Sequence, residues 1–439
     1  MLLIAAGAVA APWVAQALGH IGRMYFFQGK YEDADKIFHR ALRIREAVLD
    51  PADPTGWFYS ALLRQQNNEL NQGVAELETS KALNDDRSVF RSRLLLDQDR
   101  AVRSANLAAL YRDVGLADYA VTEAADATER DYGNAASHLF LADSYSGLRD
   151  PGLSRLRYET PAVSEYLVAN ILAPVGGSSL SPQISQQEYS PLFDRQRIGM
   201  ASDTRYSSDG AWDQRASHLG VFDHVAYALE GGWRGAPGHR PNTDLEQWDG
   251  AAHLKVQLAP ATSVYLLGSW AAVDRGDTRP YYDERLASPT LRVRERQEPN
   301  VFFGVHHQWA PGLQTLFLGA HLEDTQWTVE PNAYVRTLVR DGSGTLTGVL
   351  NPVDSAFGLR YRTGFEAWSG ELQQIWQSPR QLVLAGGRMQ TGSLNTRALL
   401  ARDPGAFPPV FNDPAADQRV RDPLDRATAY LYWHWQALE

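Results

Sequence analysis

The stretch "EQWDGAAHLKVQLAPATSVYLLGSWAAV", Glu246 to Val273, reads as two strands joined by a turn. Trp248, Gly250, Ala252, Leu254, Val256 and Leu258 share one face, and Asp249, His253, Lys255 and Gln257 share the other. A period of two with one apolar and one polar side is the mark of a strand between unlike surroundings. "APAT", Ala259 to Thr262, reverses the chain, and Val264, Leu266, Gly268, Trp270 and Ala272 continue the apolar face on the way back. The unit recurs. "NVFFGVHHQW" carries Val301, Phe303, Val305 and Trp309, "APGL" turns it, and Leu316, Leu318, Ala320 and Leu322 return opposite Thr315, His321 and Glu323. "FEAWSGELQQIWQ", "SPRQ" and "LVLAGGRMQTG" form a weaker third pair, and "RATAYLYWHWQAL" a last strand with Ala429, Leu431, Trp433 and Trp435 on one side. With earlier strands near 195–205 and 218–230, the reading counts about nine.

Connections of two kinds alternate. Tight turns at Ala259–Thr262, Ala310–Leu313 and Ser378–Gln381 exchange with long polar loops over roughly 274–299, 329–355 and 392–424. Strands of about ten residues, short turns at one end and long loops at the other predict a transmembrane β-barrel. Trp248, Trp270, Trp309, Trp368 and Trp376 near strand ends suit aromatic girdles. On this reading Leu254, Val256, Leu258, Leu266, Leu316, Leu318, Leu431 and Trp433 face lipid, while Lys255, Gln257 and Glu323 face a lumen. A soluble sandwich with one wet face alternates too and is the competing architecture. Over about residues 190–437 the pattern resembles bacterial outer-membrane β-barrels, TonB-dependent-receptor-like and porin-like ones, without a signature motif. An odd strand count and an ending in "WHWQALE", with no closing aromatic, lead to the expectation that the sequence is a fragment cut at both ends.

The other half has a different period. In "YFFQGKYEDADKIFHRAL", Tyr25 to Leu42, and the residues just before it, Gly22 and Tyr25 lie on one helix and Ala34, Phe38 and Ala41 on the next. Small residues let two antiparallel helices approach while aromatics fill the gap. Ala108, Tyr111, Gly115, Ala120, Ala124 and Ala127 repeat the arrangement, and Trp57, Ala61, Gly73 and Leu77 form a degenerate copy. Over roughly residues 13–148 this resembles the tetratricopeptide repeat, which implies a stacked helical solenoid and a concave surface for a protein or peptide.

Composition narrows the classes. The 439 residues carry a net charge of −10, with arginines scattered, which argues against a nucleic-acid partner. Cysteine is absent, so disulfides, thiolate metal sites and cysteine nucleophiles are excluded together. No apolar run is long enough for a transmembrane helix. Residues 1–19 read either as the end of a helix, with Pro12 opening the next, or as a signal peptide lacking its basic start. The run "PVGGSSLSPQISQQ" reads as linker. His306 and His307 point to opposite sides of a strand, and His253, His321 and His434 have no ligand spacing, so no metal or cofactor is expected. "GSGTLTG" lacks the following helix that a phosphate cradle needs. No nucleophile, base and acid can be argued from spacing, and an enzyme is not expected.

The expected fold is therefore α+β and multidomain, with helical repeats over 1–150, a linker over 151–190, and an antiparallel barrel or partial barrel over 191–439. The expected setting is the bacterial outer membrane, with the repeats in the periplasm on a protein or peptide partner and the strands in lipid. Transport or export of a polar solute or polysaccharide is the leading functional expectation, since this order of parts resembles exopolysaccharide exporters. A non-transporting scaffold anchored by the barrel, and a soluble repeat protein with a carbohydrate-binding sandwich, are the alternatives.

Overall fold

The computed structural model describes residues 53–84, 93–148, 160–175, 177, 197–333, 337–350, 357–402 and 416–435, with scattered positions between 18 and 37. Six helices are delimited in the first part: α1 (Pro54–Gln66), α2 (Leu70–Ala82), α3 (Arg93–Asp113), α4 (Ala117–Arg130), α5 (Ala135–Gly147) and α6 (Pro161–Leu172). Their starts follow from local chemistry. The Asp53 carboxylate accepts from the Thr55 amide at 2.9 Å ahead of Pro54, and Asn134 and Thr160 cap α5 and α6 in the same way. Gly115, at φ +85°, supplies the left-handed residue just beyond α3.

Small residues set the helix spacing. Ala34, Ala61, Leu77, Ala108, Ala120, Ala124 and Ala127 are fully buried. A Cβ on Gly73 would lie 3.3 Å from the Ala61 carbonyl oxygen, so α1 and α2 touch nearly backbone to backbone. Gly22 is buried, and Tyr25 packs with Tyr111 around the cluster that holds Ala34, Phe58 and Leu110. Phe38 and Ala41 lie outside the described residues.

The second part is one antiparallel sheet of ten strands. These are β1 (Arg197–Tyr206), β2 (Trp212–Phe222), β3 (Val225–Ala236), β4 (Leu245–Ala259), β5 (Thr262–Arg275), β6 (Arg292–Ala310), β7 (Leu313–Ala333), β10 (Phe357–Ser378), β11 (Gln381–Arg402) and β12 (Ala416–Trp435). A separate hairpin, β8 (Thr337–Arg340) and β9 (Leu346–Leu350), lies in the β7–β10 connection. Strands pair in chain order, and β1 and β12 pair on one side only, so the sheet is open rather than closed into a barrel.

Four expectations change. The strands number ten, not nine, because the segment near 218–230 is a hairpin turning at Asp223 (φ 40°), with no Gly or Pro to mark it. Most strands of the large sheet are longer than ten residues, and β10 and β11 reach 22 each. Parts of the supposed loops at 274–299, 329–355 and 392–424 are strand in which Arg294, Arg296, Arg397 and Arg419 replace apolar residues on one face, so the apolar face of the band cannot be followed along the chain although pairing continues. The segment 151–190 is not wholly linker: α6 lies within it and packs on the sheet.

Replacing Ala34 with Trp should lower the helical unfolding transition of the full chain, followed by far-UV circular dichroism, by about 1–3 kcal/mol or more, the usual cost of overpacking. An unchanged transition would show that Ala34 is not at a close helix–helix contact.

Candidate functional site

The two faces of the sheet have different fates. One carries α6, and we call it the covered face. Val163, Leu167, Ile171 and Leu172 of α6 form a single apolar cluster with Tyr265, Leu267, Phe302, Leu316, Leu322, Ile375 and Leu384. A Cβ on Gly304 would lie 2.5 Å from Ile171, so this glycine admits the helix. Lys255 fixes the helix end. Its ammonium, fully buried, donates to the carbonyl oxygens of Asn170 at 2.8 Å and Ile171 at 2.7 Å. These are orphan carbonyls at the negative end of the helix, which a cation satisfies twice, by hydrogen bond and by field. The helix is also tied to the repeats, where Glu165 meets His138 Nδ1 at 2.5 Å.

The repeats reach the same face at its tight-turn end. Gln377, beside the β10–β11 turn, donates to the Arg130 carbonyl oxygen at 3.0 Å, and Gln373 donates to the Tyr132 hydroxyl at 3.1 Å. The covered face thus holds helix and repeat contacts along with polar residues such as Lys255 and Gln257. The cover is a helix and not a second sheet, so the described residues do not form a two-sheet sandwich.

The other face is open. Leu254, Leu258, Leu266, Leu431 and Trp433 are exposed on it, and Val256 is half-buried there. Leu316 and Leu318 are not on it. Leu316 is buried in the α6 cluster and Leu318 packs against that cluster, while Phe317 and Glu323 take the open side. The physical reason is that α6 makes the covered face apolar over β7, so the leucine run there marks the helix contact. Each of the ten strands exposes large apolar side chains on the open face, including Met200, Phe222, Leu229, Phe303, Leu372 and Met389. Aromatics edge this band. Trp309, Trp376 and Trp435 lie beside the tight turns, and Trp233, Trp248, Trp270 and Trp368 lie toward the other end. From Trp368 to Trp376 along β10 is about 26 Å at roughly 3.3 Å per residue, close to the ~25 Å apolar band of a membrane barrel.

Beyond the band, the β5–β6 connection is organised by Asp277. Its carboxylate accepts from Arg279 Nε at 2.9 Å, the Tyr281 hydroxyl at 2.8 Å and the Ser288 amide at 2.9 Å. Burial alone would raise its pKa, but these hydrogen bonds and the Arg279 charge outweigh burial and hold the carboxyl well below the usual carboxylate range. The "GSGTLTG" segment forms the β8–β9 turn and the first residues of β9, and Asp341 accepts from the Ser343 and Thr345 amides in the turn. Among the described residues no three His, Asp or Glu side chains are placed to hold a metal.

Sequence reading did not single out α6 or the exposed Met200 and Met389. The capping pair Thr160–Pro161 was the available signal for α6; the bond from Lys255 to that helix joins residues more than eighty positions apart and has no local signal.

Comparison with known proteins bears on the helical half. Residues 14–55 match the tetratricopeptide repeat family. No curated protein matches the chain in sequence. Among solved structures it is similar to a chain of the APC/C hetero-tetramer Cut9–Hcn1, at 14% identity and TM-score 0.30, covering 36% of this chain and 27% of that one. It is similar to MamA at 19% identity and TM-score 0.26, covering 36% of this chain and 77% of that one. The first repeat domain of Spaghetti bound to an HSP90 peptide matches at 18% identity and TM-score 0.24, covering 31% and 94%. The likeness of the strands to receptor-like and porin-like barrels rests on pattern alone.

Lys255→Met should leave the two carbonyls of α6 without a donor, at a cost of about 1–3 kcal/mol. Amides of α6 should then exchange with solvent deuterium markedly faster than in the wild type, and equal protection would remove Lys255 from this role. For Asp277, a depressed folded pKa means that its contribution to loop order is complete above the ordinary carboxylate value of 3.8 and is lost as pH falls below it. At neutral pH Asp277→Asn should speed tryptic cleavage after Arg285, with the cleavage site read by mass spectrometry. Unaltered cleavage would show that the loop is held by other contacts.

Proposed function

We propose that the chain is an interaction scaffold of the bacterial outer membrane. The open face of the sheet sits in lipid, with the edges of β1 and β12 paired against other strands there, and the helical repeats stand in the periplasm and hold a protein or peptide partner. The carrying observation is the exposed apolar band on all ten strands, bounded at both ends by aromatic side chains. Soluble proteins seldom leave so continuous an apolar surface in water. Short turns of membrane barrels lie on the periplasmic side, and the repeats contact the sheet at its tight-turn end. The partner belongs to the repeats because stacked helix pairs present a long concave surface.

Transport or export of a polar solute is a finer reading. The apolar seat of α6 on the covered face favours an anchor over a conducting path. The chain acts by binding and anchoring and not by catalysing a reaction.

Leu266 and Phe303 face each other across β5 and β6 on the open face, within the apolar band. An arginine near the middle of a lipid-facing band costs about 2–4 kcal/mol, whereas an exposed site in water changes stability by roughly 0.5 kcal/mol or less. Leu266→Arg should therefore sharply reduce the fraction of refolded full chain that becomes protease-resistant in phosphatidylcholine vesicles. Leu286→Arg, in the exposed β5–β6 loop, should not. Equal behaviour of the two variants would sink the membrane reading.

A further inference from the structure

The open face changes character past the upper aromatics. Ladder pairing places Arg294, Trp327, Arg362, Arg397 and Arg419 in one row across β6, β7, β10, β11 and β12. The row nearer the apolar band holds Arg296, Thr325, Gly364, Asn395 and Arg421. Six guanidinium groups thus lie on two adjacent rows of a chain whose net charge is −10. The concentration is specific to arginine: Lys255 is the only lysine after residue 81, and it is spent on α6. The planar guanidinium pairs with phosphate through two parallel hydrogen bonds.

Several of these groups are held in place. Asp417 accepts from both Arg397 nitrogens at 3.0 Å and from Arg419 at 3.2 Å, and Arg362 lies 5.5 Å above the Trp327 ring. Between them is a groove of about 490 Å³, with Arg362, Arg397, Arg419 and Arg421 in its wall. Gly364 lines it as well, and a Cβ there would meet only Thr325 Oγ1, at 3.9 Å. The side nearest the apolar band is acidic. Glu323 and Glu366 stand directly opposite each other in the ladder and both line the groove. Like charges so placed destabilise a sheet, and donors from a ligand would offset that cost.

We propose that this groove binds the phosphorylated headgroup of a membrane glycolipid, its phosphate on the arginines and its sugar hydroxyls on Glu323, Glu366 and Asn395. The placement suits a lipid whose acyl chains lie along the neighbouring apolar band and whose headgroup stands just above the aromatic edge. A free phosphate would satisfy the arginines but not the two glutamates. The inference rests on the membrane reading given above.

The test is vesicle flotation of the refolded full chain. The vesicles are phosphatidylcholine alone, phosphatidylcholine with bisphosphorylated lipid A, and phosphatidylcholine with dephosphorylated lipid A. The expected result is insertion into all three, with tighter association and sharper salt dependence for the bisphosphorylated lipid. Arg362→Gln and Arg421→Gln should each weaken that preference roughly fivefold, by the usual contribution of one cation near an anionic lipid surface. Gly364→Val, which removes no charge, should weaken it by filling the groove, so a loss shared by all three variants identifies the groove itself. Insertion that is equal in all three vesicles leaves the membrane reading standing and overturns the lipid site. Failure to float with any vesicle overturns the membrane reading and the site with it. Abolition of the preference by millimolar inorganic phosphate, with no discrimination between the two lipid A forms, assigns the groove to free phosphate and overturns the glycolipid.

Discussion

The ammonium of Lys255 holds the molecule's two halves together. It leaves a strand of the sheet, enters the space against α6 and satisfies two carbonyls at the helix end. A buried cation without such partners would be costly, and a buried helix end without a donor would be costly as well. Each defect answers the other. The position of α6 follows from this bond together with Gly304, which leaves room for Ile171, and the apolar cluster closes around both. The repeats are then tied to the sheet twice, through Glu165 on α6 and through Gln373 and Gln377 at the tight turns.

Once one face is covered, the other becomes the question. A sheet has only two faces, and a strand sends alternate side chains to each. The covered face takes a helix and several hydrogen-bonded polar groups. The open face keeps leucines, phenylalanines and tryptophans over a band of membrane thickness, then passes abruptly to arginine and carboxylate. On the proposed membrane reading these surfaces would meet hydrocarbon, interface and headgroup in turn. The long strands carry the ladder well past the apolar band, so the arginines are held on paired backbone instead of on loops, which gives the cationic rows a fixed spacing.

The helical half could be read because its signals are local. Ala108, Ala120, Ala124 and Ala127 recur at helical spacing, and small residues at that spacing have few roles other than close helix packing; all four are fully buried. The strands from Trp248 to Trp270 could be read for the same reason, since a period of two and a Pro-containing turn sit within thirty residues. The β2–β3 turn escaped because Asp223 adopts positive φ without a glycine to announce it. The outer ends of β10, β11 and β12 escaped because the polarity of the faces reverses there: Arg362, Arg397 and Arg419 take the face that is apolar in the band, while Leu359, Tyr361, Leu400 and Val420 take the other.

What the sequence determined by itself was the class of each half, repeat helices followed by long antiparallel hairpins, because both depend on spacing between near neighbours. It also determined that one face of most strands is apolar. It did not determine which face is covered. Leu316 and Leu318 have the same pattern as Leu254 and Leu266, yet they point the opposite way, toward α6. Alternation states only that two faces differ, and the choice between them depends on what packs against each. That partner is a helix from a segment of linker-like composition, brought to the strands by a lysine far along the chain. Whether the sheet closes was likewise decided in three dimensions, since it depends on the meeting of β1 and β12, and each of these strands pairs on one side only.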